Sequence, residues 1–381
     1  MATAPTSLLE LAALFLKLGA TAFGGPAAHI AMMRDEVVRR RGWLDDQQFL
    51  DLVGATNLIP GPNSTELAIH IGWTRRRWAG LIVAGVCFIV PAMVITGALG
   101  WAYVRFGHRP QLSGLLWGLK PIVVAVVAQA LWKLAPTAAA SWFLRAVLAG
   151  CVAAVALGVQ ELIVLFGAGV LVAVVRRPRF GALPQVIPLV PAATVGVGAG
   201  ALGAVSLSGL FGIFLKIGSV LFGSGYVLLA FLRADLVQRL HWLTEAQLID
   251  AVAVGQITPG PVFTTATFIG YLLEGPTGAL VATAGIFLPA FVFVAASGPL
   301  IPRLRASRIA GAFLDGLNVA SLALMAVVTA QIAGASIVDV PTAILGLGAA
   351  TLLLRFKLNA TWLMLGGGAI GLALHLLGYG R

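Results

Sequence analysis

Cysteine, acidic residues and catalytic signatures are all scarce in this chain. The two cysteines, Cys87 and Cys151, sit inside apolar runs and form no CxxC pair, which excludes a disulfide scaffold and a soft-metal centre. Charged residues fill only 10% of the 381 positions and apolar ones 59%, so too little polar surface exists to clothe a soluble core. Acids are rarer than bases, 14 against 25, and the formal charge of +11 invites a nucleic-acid reading. The basic residues, however, fall in short clusters between apolar runs, as cytoplasmic loops do, and no nucleic-acid partner is expected. There is no HExxH, GxSxG or Walker sequence and no Gly-rich fingerprint after a strand, so neither an enzyme, a cofactor nor a metal is expected. Ten-residue alternation is missing too, which excludes a transmembrane β-barrel.

Long hydrophobic segments dominate instead. Ala79–Tyr103, Leu112–Trp132, Gly278–Leu300 and Leu363–Leu377 are almost free of charge. Runs of about 15 to 25 such residues are what the roughly 30 Å hydrocarbon layer asks of a helix. The expected class is an all-α polytopic membrane protein whose partner is the lipid bilayer. The first apolar stretch has no basic region ahead of it and carries Glu10, so a retained helix is expected there and not a cleaved signal.

The segment from Phe15 to Ala92 recurs as Phe214 to Ala290. The first copy reads FLKLGATAFGGP, then Arg34, Trp43-Leu44, Asp51, Pro60-Gly61-Pro62 and Val90-Pro91-Ala92. The second reads FLKIGSVLFGSG, then Arg233, Trp242-Leu243, Asp250, Pro259-Gly260-Pro261 and Leu288-Pro289-Ala290. Duplication with helix breakers inside hydrophobic segments points to a secondary transporter with its site where the repeats meet. The expected boundaries are a repeat at 1–182, an apolar Gly/Ala-rich linker at 183–205 and a second repeat at 206–381.

Crossing helices are predicted near 8–33, 78–104, 112–134, 141–158 and 160–175, and again near 206–232, 277–301, 308–333, 340–354 and 359–377. Residues 46–73 and 244–272 read differently. Each is two arms too short to cross, meeting at Pro-Gly-Pro, because proline removes backbone donors and turns its predecessor away from helix. Arg39-Arg40-Arg41 before the first stretch and Arg75-Arg76-Arg77 after it suit a broken, re-entrant hairpin with both ends in the cytoplasm. About five crossings per half, an odd number, would orient the halves oppositely. The loops agree: Arg75-Arg76-Arg77 corresponds to the cation-free Leu272–Pro276, and the loop with Arg303, Arg305 and Arg308 to one carrying only Arg105 and Arg109. An inverted-topology repeat is expected. If the hairpins and residues 183–205 all cross, the count rises from about ten to about thirteen with the halves still inverted. If only the linker crosses, the halves become parallel.

Lys17 and Lys216 occupy equivalent positions about 14 Å into the first helix of each half, where a lysine needs a cavity or an anion unless it snorkels to an interface. Phe23-Gly24-Gly25-Pro26 and Phe222-Gly223-Ser224-Gly225 interrupt the same helices, and freed amides there could face a negative ligand, although small residues also serve close helix packing. The arms after each Pro-Gly-Pro offer further donor ends, with Asn63, Ser64 and Thr65 in one half and Thr264 and Thr265 in the other. The expected substrate site is therefore Lys17, Lys216, Phe23, Gly24, Gly25, Gly223, both Pro-Gly-Pro turns, Asn63, Thr65 and Thr264. Glu66, Asp51, Asp250, His29 and His70 are candidate proton-handling groups, with structural ion pairing to Arg34, Arg233 or a lysine as the competing role. Lys120, which corresponds to Asn318, is a further candidate for the cavity wall.

FGGPAAH, NLIPGPNSTELAIHIG, WLTEAQLIDAVAVGQITPGPVFTTATFIGYLLEG and GIFLPAF together resemble the chromate transporter family, in its long form with two homologous domains. The resemblance covers nearly the whole chain and is weakest at 176–208 and in the C-terminal third of each half. It implies a multi-pass protein of the bacterial inner membrane that exports chromate and confers resistance, with halves of opposite orientation. Sulfate or another oxyanion is the alternative substrate, since substrate does not follow from fold. A membrane-embedded reductase or sensor is the competing class. The oligomeric state is open, with a homodimer as one option.

Overall fold

A computed structural model describes residues 6–107, 109–176, 205–222, 225–297, 307–356 and 358–378. The expected linker at 183–205, apart from Val205, and Gly223 lie outside the described residues. The described secondary structure is entirely helical. In the first half α1 is Leu8–Thr21, α2 Gly25–Arg34 with a π-helical extension Asp35–Arg40, α3 Asp46–Thr56, α4 Asn63–Phe106, α5 Pro110–Ala138, α6 Trp142–Ala156 and α7 Glu161–Val175. In the second, α8 is Leu207–Val220, α9 Leu228–Leu232 between a 3-10 turn at Gly225–Val227 and a π-helical segment at Arg233–Arg239, and α10 Glu245–Ile257. There follow α11 Thr265–Ser297 after the turn Val262–Thr264, α12 Arg308–Ser336, α13 Val340–Arg355 and α14 Ala360–Leu376. Among the described residues, four helices, including the 44-residue α4, are long and apolar enough to cross a membrane.

The helix expected at 8–33 is instead two helices folded back on each other, which corrects the sequence reading. Gly24 and Gly25 take positive φ values of 104° and 77°, and Pro26 follows at the start of α2, so the helix cannot run through. Lys17 on α1 then meets Glu36 at 2.9 Å, and Glu10 meets Arg41 at 2.9 Å, the register of an antiparallel pair. The segment expected at 206–232 behaves alike: Lys216 meets Asp235 at 2.9 Å, and Gly209 lies against Trp242. Both ends of the first pair lie at one end of the molecule, where Arg75 bonds the Thr6 hydroxyl at 2.8 Å and the Trp43 carbonyl at 3.2 Å.

Helix α4 is also a hairpin. Arg76 and Arg77 leave helical geometry, with Arg77 at φ 51°, and a Cβ on Gly72 would collide with the Gly80 carbonyl oxygen. Eight residues of straight helix would separate those positions by about 12 Å. The same reversal occurs in α11 at Glu274 and Gly275, where Gly270 meets Gly278. Each half thus offers a short arm, 63–75 or 265–273, running back along its own long arm.

The long arm of α4 carries an exposed apolar stripe. Trp78, Ile82, Val86, Val94 and Trp101 are exposed along it, and Trp78 and Trp101 stand about 34 Å apart along the axis, the separation of two interfacial aromatic belts. The other side of this arm packs on the second half: the Thr96 hydroxyl reaches that of Thr264 at 3.3 Å, and Gly100 lies against Tyr271. The last helices are exchanged between halves, α5 packing on α13 and α14 while α12 packs on α6 and α7. Glycines permit this closeness, as where Gly118 meets Gly367 and Gly371, and Gly316 meets Ala168 and Gly169.

Candidate functional site

Four chain breaks converge at the centre. The Gly61 amide of the first Pro-Gly-Pro donates to the Leu221 carbonyl, at the end of α8, at 2.8 Å. Its counterpart Gly260 donates to the Ala22 carbonyl, at the end of α1, at 2.9 Å. Each turn therefore caps the helix end of the other half. Glycine is required at both turns, with φ of 138° at Gly61 and 83° at Gly260. A Cβ on Gly260 would approach the Gly19 carbonyl oxygen and the Ala92 side chain to 2.8 Å.

Beside these breaks lies a cavity of about 570 Å³, walled by Gly24, Pro62, Asn63, Gly225, Pro261 and Lys133 among others. Helical segments begin at Gly25, beside the wall, and at Asn63, Gly225 and Val262 on it; α14 begins at Ala360, also on the wall, with its Thr361 amide capped by Asn359 Oδ1 at 2.9 Å. The caps Gly24, Pro62 and Pro261 supply no side-chain hydrogen bond to the amides that follow. Helix N-termini carry partial positive charge and free amides, a setting that favours negative over positive charge. Lys133 adds a full positive charge, with Gln129 one turn before it and Asn359 across the cavity. A second cavity of about 400 Å³ shares Asn63 and Leu134 with the first and is lined by Thr56, Asn57, Thr137, Asn318 and Ser321. The Asn63 side-chain Nδ2 donates to Asn57 Oδ1 at 2.8 Å between them.

Of the residues expected at a substrate site, Gly24, Pro62, Asn63 and Pro261 line the main cavity, as does Ser64, and Gly25 lies between two lining residues. Pro60, Gly61, Pro259 and Gly260 form the turns behind it. Thr65 and Thr264 are buried there, Thr264 bonding the Pro261 carbonyl at 2.8 Å. Phe23 is 41% exposed and is absent from the lining, as are Lys17 and Lys216, each paired with an acid of its own half. Lys17 is 55% exposed, Lys216 25%.

The proton-handling candidates occupy different settings. Asp51 is exposed and accepts from Gln47 at 3.4 Å. Asp250 is buried and joins the halves, accepting from the Tyr103 hydroxyl at 2.9 Å and lying 3.5 Å from Lys120 Nζ. Lys120 is thus a partner of Asp250 and does not line either cavity. His29 is buried, with Nε2 3.0 Å from the Ala22 carbonyl and Nδ1 unpartnered. Glu66 and His70 are buried with unpartnered side-chain atoms. Sequence reasoning missed Lys133, Gln129 and Asn359. The i, i+4 spacing of Gln129 and Lys133 near the end of an apolar helix was the available signal.

These features define an integral membrane protein built from two homologous helical units around a central cavity rich in helix N-termini. The family model described as "Chromate transporter" matches it twice, over residues 9–173 and 208–372, so the chain belongs to the chromate transporter family. Among curated relatives, the "Chromate transport protein" of Cupriavidus metallidurans is 36% identical over 98% of this chain and 95% of its own length. The protein of the same description from Pseudomonas aeruginosa is 30% identical over 96% and 92%. The "Probable chromate transport protein" of Synechococcus elongatus is 31% identical over 90% and 88%. No solved structure matches.

Proposed function

We propose that this protein is a secondary transporter that exports chromate across the bacterial inner membrane by alternating access, driven by the membrane potential and proton motive force, and so confers chromate resistance. The observation that carries the reading is the convergence of uncapped helix N-termini from both halves on one cavity with Lys133 in its wall. A tetrahedral dianion can accept from several amides at once and from one ammonium. The relatives' printed names supply chromate itself. In this site the amides at Gly25, Asn63, Ser64, Gly225 and Val262 hold the oxyanion, Lys133 meets its charge, and the pairs of Lys17 and Lys216 hold the flanking hairpins in register.

The halves are an inverted-topology repeat with re-entrant Pro-Gly-Pro hairpins. Supporting this, the long arm of α4 runs alongside the short arm of α11 in the same direction, Thr96 at Thr264 and Gly100 at Tyr271. Within α4 the short arm runs opposite to the long one, so the two short arms point oppositely. Arg75–Arg77 and the end of α7 at Arg176 then share the cytoplasmic side with the start of α12, while Glu274 and Ser206 face the other way. Outward passage of a dianion from an inside-negative cell releases about 4.6 kcal/mol per 100 mV, enough to drive export.

The test is uptake of radiolabelled chromate into inverted membrane vesicles. Accumulation that rises with imposed potential and falls about tenfold or more in Lys133→Ala supports the reading. Chromium recovered only in reduced form would favour a reductase. Full suppression by equimolar sulfate would make sulfate the principal substrate.

A further inference from the structure

We propose that the second cavity is a transit subsite for the oxyanion, the antechamber it crosses between the cytoplasm and the main cavity, with the Arg176–Asp315 pair setting the charge of its mouth. This rests on the transport reading above and on a cavity to which that reading assigns nothing. The two cavities, of about 570 and 400 Å³, share Asn63 and Leu134. Along α5 the lining passes from one to the other in a single direction: Gln129 and Lys133 belong to the first, Leu134 to both, Thr137 and Ala138 to the second. Ala138 ends that helix. At the same end of the molecule the Arg176 guanidinium, just after α7, donates to Asp315 at 2.6 Å and to the Ser141 hydroxyl at 3.4 Å. Asp315 lines the second cavity and is 47% exposed, so the cavity reaches the surface there. In the orientation proposed above that surface is cytoplasmic.

The wall suits an ion that must both enter and leave. Asn57, Asn63, Thr137, Asn318 and Ser321 bring amide and hydroxyl donors that can replace part of a hydration shell, without the full positive charge that would trap a dianion. Lys133 stands further in, on the main cavity, beyond the point where Asn63 Nδ2 donates to Asn57 Oδ1 at 2.8 Å. A single neutral hydrogen bond is a weak barrier to passage. Among the described residues that line the second cavity, Asp315 is the one that carries charge. A bare carboxylate at the mouth would repel a dianion, and Arg176 offsets it.

The equivalent surface of the first half is shut. Trp117, Lys120, Val123 and Val127 on α5 stand where α12 has Asp315, Asn318, Ser321 and Met325. Val123 and Val127 are buried, and Lys120 Nζ lies 3.5 Å from Asp250, which also accepts from the Tyr103 hydroxyl at 2.9 Å. A polar antechamber beside α12 and a closed surface on α5 form the asymmetry expected of a two-repeat transporter open to one side.

The experiment places Asn318→Cys on a background without Cys87 and Cys151 and treats membrane vesicles with a bulky, membrane-impermeant thiol reagent. The cysteine should react in inverted vesicles, which expose the cytoplasmic face, and not in right-side-out ones, and complete labelling should abolish chromate uptake. Reaction from the outer face, no reaction from either face, or undiminished uptake after complete labelling overturns the proposal. Thr137→Cys, on the facing helix, reads the same cavity should the first variant fail to reach the membrane. Charge at the mouth is tested separately. Arg176→Gln should raise the chromate concentration for half-maximal uptake about fivefold at low salt, less at high salt, and adding Asp315→Asn should restore it. Maximal rates should stay within about twofold. A defect that salt and Asp315→Asn leave unchanged would overturn the role of the pair. Wild type that takes up neither chromate nor sulfate would instead overturn the transport reading, while the labelling would still report to which face the cavity opens.

Discussion

Lys17 and Glu36 meet in the first half as Lys216 and Asp235 do in the second, and Gly61 and Gly260 exchange the same hydrogen bond, yet the residues beside these fixed points differ. Asn63, Ser64, Glu66 and His70 stand opposite Val262, Phe263, Thr265 and Ile269, and Lys133 stands opposite Gln331. The frame is shared because both copies must fold back at the same depth and grip each other. At these equivalent positions the titratable and cationic side chains Glu66, His70 and Lys133 all belong to the first copy.

The sharpest way to break this contrast is to make the first half resemble the second at the cavity. Lys133→Gln should raise the KM for chromate about 10- to 100-fold, since a hydrogen bond to a charged group is worth about 1.5–3 kcal/mol. An unchanged KM would remove Lys133 from the site. Next in size come the reciprocal turns. Gly260→Ala should destabilise the protein by about 2–3 kcal/mol, seen as a lower melting temperature in detergent, because it combines a positive φ with a backbone clash. Gly61→Ala should cost less if the Glu66 side chain gives way, since that flexible carboxyl is the nearest neighbour of its Cβ.

The hairpin clasps separate the halves more finely. Asp235 receives two hydrogen bonds from a Lys216 that is 25% exposed, whereas Glu36 receives one from a Lys17 that is 55% exposed. Because each carboxylate also meets an arginine, the lysine is the group to remove: Lys216→Met should cost about 1–3 kcal/mol and Lys17→Met about 1 or less, since solvent screens the more exposed lysine. Equal losses would contradict the difference in burial. The smallest effect is expected at the reversals: Arg77 holds a positive φ that Gly275 holds freely in the other half, so Arg77→Gly should stabilise by up to about 1 kcal/mol.

Much of this frame was legible in the chain. The duplication, the glycine breaks after Phe23 and Phe222 and the Pro-Gly-Pro turns are local signals, since glycine and proline act on their own backbone whatever surrounds them. The folding back of α1 on α2 was not legible, because an apolar stretch with a break in it reads equally as a kinked crossing. Only contacts between distant residues, Lys17 with Glu36 and Arg75 with Thr6, separate the two. Lys133 was passed over for a related reason. Matching the copies drew attention to lysines present in both, while the cation on the cavity wall has no charged counterpart. The exchange of α6 and α7 for α13 and α14 across the halves leaves no periodicity to read.

Asn63 and Val262 are equivalent positions, one from each half, and both line the main cavity. Single cysteines placed at each, on a background without Cys87 and Cys151, can be followed by their reaction rate with a small water-soluble thiol reagent. A site shared by the two halves predicts that chromate slows both reactions with the same half-saturating concentration. Protection at only one position, or at neither, would contradict it.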